Sequence, residues 1–549
     1  MNHMYIFVTA LFAALTMVPV LCNWALENNK VDLPDARKIH KTPVPRLGGV
    51  AIFLAFLCSQ LLYVEMTREM RGILAGGLVI FLTGLLDDLQ GLSARSKFVG
   101  QFFGCLLAAT IGNLWIFNLG NLFGFGVIHL PLALAVPFTL FSCVGLINAI
   151  NLIDGLDGLA GGVSVVALGA FFVLAIQDGN LPAAALSAGL LGALLGFLKY
   201  NFFPARIFMG DAGSLTVGYF LAILAIMLTQ SPGSIVTPVL PVLVLGLPVV
   251  DTVWVMSRRL LEGSSPFAAD RTHVHHKFLD LGLQHRFTVI VIFAISMFWA
   301  LASLFWRDRP GWWLLSIYLL VSGVLYLCLR YLTKNRQRFS LFNKDSAEGL
   351  RNTATYQRIS LLVDRTWLAI AGGGFVYLGL LASFNADAMG RFWQVNGLLF
   401  LTAAGLLLIT RDGNNPFLLS TVYVAGLLLT LELEPLARLP FSAGWTLGQV
   451  SDLLFCILGV LLFCKIAFRR DGDFFISSAD LLFFGLSLLF LLLLADDWNL
   501  QGSPEVLLKG IIFYVALKLT AARSRRMASL LIASILATLL TVTLRGWWL

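Results

Sequence analysis

Four polar clusters interrupt an otherwise apolar chain, and each offers groups that handle phosphate or a hard cation. The first is Leu86-Asp87-Asp88-Leu89, followed by Ser93, Lys97 and Gln101. Adjacent acids at a helix C-terminus oppose the helix dipole, so they either call for a cation or proton or form a solvated helix end. In the second, Asn148, Asn151, Asp154 and Asp157 recur at every third position and run into Gly158. That spacing places polar groups along one face of a helix that ends at the glycines. At lipid depth an acid costs about 2.5–3.5 kcal/mol, so this run forms either an interior cleft or a structural polar knot. It does not match a calcium-loop pattern.

The third cluster places Gly210-Asp211-Ala212-Gly213-Ser214 just before an apolar run, a few residues after Asn201. A glycine turn into a helix exposes backbone N–H groups that suit phosphate oxygens; the plainer alternative makes Asp211 only the N-cap. The fourth, Asp270-Arg271-Thr272-His273-Val274-His275-His276, crowds imidazoles beside Arg271 and Lys277. Without a Cys or a fourth clustered ligand it reads less as zinc than as a grip on phosphate or sugar. Asp251 stands apart, seven residues before Arg258 and nearly on its helical face, and is expected to pair with it. Together Asp87, Asp88, Asp154, Asp157 and Asp211 suggest a divalent ion shared by carboxylates and substrate phosphates. Mg2+ suits that role, with Mn2+ as the alternative. Lys41, Lys97, Arg271 and the histidines would offset the repulsion between two phosphate anions in a phosphoryl transfer.

These clusters are carried by membrane helices. Of the 549 residues, 58% are hydrophobic before the 50 glycines are counted, only 12% are charged, and mean hydropathy is +0.85. A soluble enzyme, a disordered chain and a disulfide scaffold are thereby excluded, because a soluble domain carries roughly 25% charged residues. Apolar runs begin near Met4, Arg46, Arg71, Phe98, Leu132, Leu159, Leu181, Ser214, Ile235, Phe287 and Trp312, giving about eleven spans. Residues 114–129 read as a small hairpin between two of them. The first run has no basic residue before it, so it reads as a retained helix and not a cleaved signal. Loops after odd-numbered spans hold roughly 21 Lys and Arg against roughly 4 elsewhere, which puts the N-terminus outside and all four clusters on the cytoplasmic side. The net charge of +8 sits in those loops, and no basic patch for nucleic acid is evident. The seven cysteines are scattered through apolar runs. A polar stretch, 336–365, separates residues 1–335 from a second membrane module, 366–549, of about seven further spans beginning near Thr366, Phe392, Phe417, Leu447, Ala479, Val506 and Met527. The fold class is all-α polytopic membrane protein.

The four ordered motifs, with Arg37-Lys38-x-His40-Lys41-x-Pro43-x-Pro45-Arg46-Leu47-Gly48-Gly49 ahead of them, resemble the polyprenyl-phosphate N-acetylhexosamine-1-phosphate transferases over residues 1–335. The resemblance implies eleven spans, an external N-terminus and a bacterial inner-membrane location. It implies transfer of a sugar-1-phosphate from a UDP-N-acetylhexosamine to undecaprenyl phosphate, with release of UMP. Asp211 and Asp87 would then hold Mg2+, and Asp87, Asp88, Asp154, Asp157 and His273 would serve the reaction. Lys41, Lys97, Asn148, Asn151, Asn201, Arg271, His275 and His276 would bind substrate, Asn201 near the uridine. Muramoyl-pentapeptide transferases carry three consecutive histidines, whereas Val274 interrupts them here. Asp270-Arg271-Thr272 is similar to the N-acetylglucosaminyl branch that initiates O-antigen and other surface glycans. The family ends where this chain continues, and its C-terminal helices are open to a pathway partner or a second copy. The rival class is a transporter or lipid flippase, whose sites lie near the bilayer midplane and not at span ends.

Overall fold

The computed structural model describes residues 2–28, 31–32, 43–263 and 273–335, then 440–442, 445–467 and isolated positions of the C-terminal part. Lys41, Asp270, Arg271 and Thr272 lie outside the described residues, as do most of the expected C-terminal spans. The chain divides into two compact units, Met1–Phe342 with Ser477–Leu493, and Asn343–Ile476 with Leu494–Leu549.

In the first unit the helices are α1 (Asn2–Glu27), α2 (Gly48–Tyr63), α3 (Arg68–Gln90), α4 (Ala94–Gly112), α5 (Leu132–Ile153), α6 (Leu159–Gln177) and α7 (Leu181–Asn201). They continue as α8 (Gly210–Gln230), α9 (Val239–Val244), α10 (Gly246–Leu261), α11 (Val274–Asp280), α12 (His285–Phe305) and α13 (Gly311–Lys334). Two short strands, β1 (Val31–Asp32) and β2 (Val44–Pro45), pair antiparallel ahead of α2. Among the described residues eight helices are long and apolar enough to cross a bilayer, so the protein is an all-α polytopic membrane protein. The ends follow local chemistry. Thr67 and Ser93 cap α3 and α4 by accepting from Met70 N and Ser96 N, each at 3.2 Å. Asn180 caps α7 through Ala183 N at 3.1 Å. The stretch 114–129 does fold back on itself, with Leu119 N donating to Ile128 O at 3.0 Å.

The runs read from Arg46 and Phe98 form helices, α2 and α4, that are not among those eight, and a third run departs further. The single span read from Ile235 is split into α9 and α10 at Leu245. Pro248 lacks the N–H that would bond Val244 O, so the ladder cannot cross the junction. Tyr318 Oη donates to Gly246 O, in the first turn of α10, at 2.6 Å.

The core centres on α8, buried along nearly its whole length between α2, α3, α5 and α6. With no water to satisfy polar groups at lipid depth, they bond within the bundle: Tyr219 Oη donates to Ile73 O at 2.8 Å. Small residues let backbones approach. A Cβ at Gly77 would stand 2.7 Å from the Phe220 ring, and one at Gly192 would collide with Phe7 O of α1. In the second unit, strands β3 (Pro440–Ser442) and β4 (Trp445–Thr446) pair and lead into α14 (Leu447–Ala467), where Asp452 pairs with Lys509.

Replacing Gly192 with Leu is expected to cost about 1–3 kcal/mol by overpacking the α1–α7 contact. It should lower the thermal midpoint of the detergent-solubilised protein. Gly323→Leu, where a Cβ meets nothing within 4 Å, should leave that midpoint unchanged.

Candidate active site

The C-terminal ends of α3, α5 and α7 meet the N-terminal ends of α4, α6 and α8, and the sequence clusters lie at those ends. The loop before α2 docks first: Phe208 N donates to Pro45 O at 2.8 Å, Gly48 N to Phe208 O at 2.9 Å and Gly49 N to Met209 O at 2.8 Å. A Cβ at Gly49 would overlap the backbone of Gly213, so the paired glycines of the first loop are a packing requirement. Gly210, at φ +69°, has no room for a side chain between Asp88 and Arg46 O.

Asp211 is not the N-cap of α8; that position is Met209, which lends no side chain. The cap comes from another helix. The Asp88 carboxylate accepts from Asp211 N and Ala212 N, both at 2.9 Å, and so fills two of the N–H groups that a helix start leaves open. Gly84, one turn earlier, lets α3 press onto Asp211 and Ala212. Asp87 faces the other way, accepting from Leu92 N at 2.6 Å and pairing with Lys97. The same ammonium lies 3.0 Å from Asp211 Oδ2, so Lys97 bridges the two acids expected to hold a metal.

On α5, Asn148 donates to Gln101 Oε1 and to Val144 O, each at 2.7 Å. Asn151 Oδ1 accepts from Ser214 Oγ at 2.7 Å, which ties this helix to α8. The helix ends at Ile153 with Asp154 as its C-cap, and Gly158, at φ +76°, opens α6. Asp157 accepts from Ala205 N at 3.0 Å. Asn201 is buried and used at both ends, accepting from Gly158 N at 3.0 Å and donating to Ile207 O at 2.8 Å; it binds two loops together. Asp154 alone accepts no hydrogen bond among the described residues. Burial, then the charges of Asp211, Asp88 and Asp157, push its carboxyl up to about 7.

The histidines arrive on α11. A Cβ at Gly155 would overlap the ring of His275, so the imidazole packs directly on the Asp154–Asp157 turn. Neither His275 ring nitrogen has a partner among the described residues, and burial, followed by the neighbouring His276, holds its pKa down to about 3. His276 lies tilted against it at 4.2 Å between centroids. His273 pairs elsewhere, its Nδ1 standing 2.8 Å from Asp251 Oδ2. The expected Asp251–Arg258 pair is therefore incorrect: Asp251 also accepts from Val274 N at 3.0 Å and Tyr326 Oη at 2.7 Å, and Arg258 Nε lies 3.4 Å from Glu262. An acid inside a span signalled the need for a partner. Helical-face arithmetic reaches only its own helix, whereas the donors come from α11 and α13.

The hard oxygen donors at this end fit a divalent cation that shares its ligands with a phosphate. Among the described residues no group of three or more His, Cys, Asp or Glu side chains is arranged to hold an ion unaided. Lys97 already sits as a cation between Asp87 and Asp211. The Lys97 ammonium marks where positive charge is favoured at this junction.

Asp88→Ala should destabilise the protein by about 1–3 kcal/mol, since two N–H groups at the start of α8 lose their acceptor. Asp88→Asn, which keeps one acceptor oxygen, should cost less. Thermal midpoints of the two variants in detergent measure the difference.

A sequence family described as glycosyl transferase family 4 matches residues 70–229. The chain is 35% identical over 328 residues to a Bacillus subtilis protein named probable undecaprenyl-phosphate N-acetylglucosaminyl 1-phosphate transferase, covering 58% of this chain and 89% of that one. It is 36% identical over 333 residues to the decaprenyl-phosphate N-acetylglucosaminephosphotransferase of Mycobacterium tuberculosis, covering 54% and 81%. The Haemophilus influenzae undecaprenyl-phosphate alpha-N-acetylglucosaminyl 1-phosphate transferase is 34% identical over 298 residues, with 53% and 83% covered. Four motifs meeting at one end of the bundle and relatives matched over most of their length lead to one conclusion: the chain belongs to glycosyl transferase family 4, among the polyprenyl-phosphate N-acetylhexosamine-1-phosphate transferases.

Proposed function

We propose that this protein transfers N-acetylglucosamine-1-phosphate from UDP-N-acetylglucosamine to undecaprenyl phosphate at the cytoplasmic face of a bacterial inner membrane, initiating a surface glycan. An oxygen of the lipid phosphate attacks the sugar-bearing phosphorus of the donor. The bond from that phosphorus to the bridging oxygen breaks, and UMP leaves with the bridging electron pair. An ionised lipid phosphate needs no protein base. The observation that carries this reading is the convergence of Asp87, Lys97 and Asp211 at one helix junction, beside the turn that holds Asp154 and Asp157.

Asp211 and Asp87 would hold Mg2+, which when bound neutralises phosphate charge and polarises the reacting phosphorus. Asp88 keeps Asp211 in place through the backbone of α8. Lys97, released from one acid, supplies a cation to phosphate. Asn151, through Ser214, keeps the α5 face aligned with α8. The histidines at the start of α11, with Lys41 and Arg271, would bind the diphosphate and sugar. Eleven spans with the N-terminus outside would put this end in the cytoplasm. Residues 1–335 form the transferase, 336–365 the linker, and 366–549 a further membrane module.

Purified full-length protein with Mg2+, UDP-N-acetylglucosamine and undecaprenyl phosphate should release UMP. Asp211→Asn should lower that rate about 100-fold or more with an unchanged elution profile. Failure to release UMP with any UDP-N-acetylhexosamine would remove the proposal. A pH effect follows from Asp154. Its raised pKa means that it keeps its proton up to about 7, so cation binding must expel that proton. Mg2+ affinity should rise as pH passes upward through this value. Calorimetry in buffers of different ionisation enthalpy should show the proton released, and Asp154→Asn should reduce both effects.

A further inference from the structure

Asp251 belongs to none of the motifs that mark the reaction. It is 2% exposed, on α10, and its carboxylate meets three groups from two other elements. Oδ1 takes Val274 N, at the start of α11, and Tyr326 Oη of α13; Oδ2 takes only His273 Nδ1, at 2.8 Å. An ionised carboxylate is acceptor-only, so the hydrogen of the last bond must sit on Nδ1. The His273 ring has no other hydrogen bond among the described residues, and it lies nearly parallel to that of His275, 6.1 Å between centroids. His275 in turn packs on Gly155, between the acids at the end of α5. The three histidines are thus unlike: one is tied to a buried acid, while His275 is buried with neither nitrogen bonded.

We propose that Asp251 is a positioning residue for the transfer reaction: it fixes His273 in the tautomer with hydrogen on Nδ1 and leaves Nε2 as the ring atom that meets the substrate diphosphate. A carboxylate behind a working imidazole sets both its orientation and its tautomer. Tyr326 and Val274 N hold the carboxylate itself, so that Oδ2 cannot turn away from the ring. This inference rests on the proposed function.

The test is a double-mutant cycle on the full-length protein, reading UMP release. Asp251→Asn should lower kcat/KM about 10–100-fold, and Asp251→Glu should regain most of it. Combined with His273→Gln, the Asp251→Asn change should add less than about twofold, because its effect passes through the ring. A wild-type rate in Asp251→Asn, or a full multiplicative loss in the double variant, overturns the proposal. Should Asp251→Asn fail to fold, nitrogen NMR of histidine-labelled wild type decides. The signal lost in His273→Gln must report hydrogen on Nδ1, and a bare Nδ1 overturns the assignment. Wild type that releases no UMP removes the functional reading and leaves the tautomer result standing.

Discussion

The first backbone N–H groups of α8 have no acceptor within their own helix, so they take one from another element. The Asp88 carboxylate supplies the acceptor from α3. Everything at this end of the bundle depends on that union. It sets Asp211 beside Lys97, and so beside Asp87, which shares the same ammonium. It also requires glycines: at Gly84 and Gly210 a Cβ would hold α3 and α8 apart, and the Gly49–Gly213 contact seats α2 on the same end of α8.

Charge then follows from geometry. Five acids at one junction repel one another strongly in a low-dielectric setting, and the bundle answers with specific partners. Asp88 has backbone N–H groups, Asp87 has Leu92 N and Lys97, Asp157 has Ala205 N, and Asp211 has Lys97. Asp154 has only the proton that its surroundings favour. A pocket in that condition gains from any ligand that brings positive charge with it.

The histidine arm is held by a different device. The break between α9 and α10 starts a new helix that carries Asp251 to the beginning of α11, where a backbone N–H and an imidazole both need an acceptor. Lys277, one helical turn on from His273, lies over the rings of Trp254 and Tyr326 at 5.8 and 4.7 Å, so the arm is clamped from both sides by α10 and α13.

Membrane helices, their approximate ends and the polar clusters at those ends were legible in the chain itself, because span length and hydropathy are local properties. Asp87, Asp88, Lys97 and Asp211 could be singled out as a set from residue type alone. What no local pattern carries is which atom of one helix meets which atom of another. Residue type alone leaves Asp211 open as its own helix cap, whereas α3 provides that cap through Asp88. Asn201, expected to bind substrate, also holds backbone at both ends of its amide. Spacing along one helix face pairs Asp251 with Arg258, whereas its partners lie 22, 23 and 75 residues away. Packing brings such distant donors to a buried charge that cannot remain unpaired, and only the folded bundle decides which of them arrive.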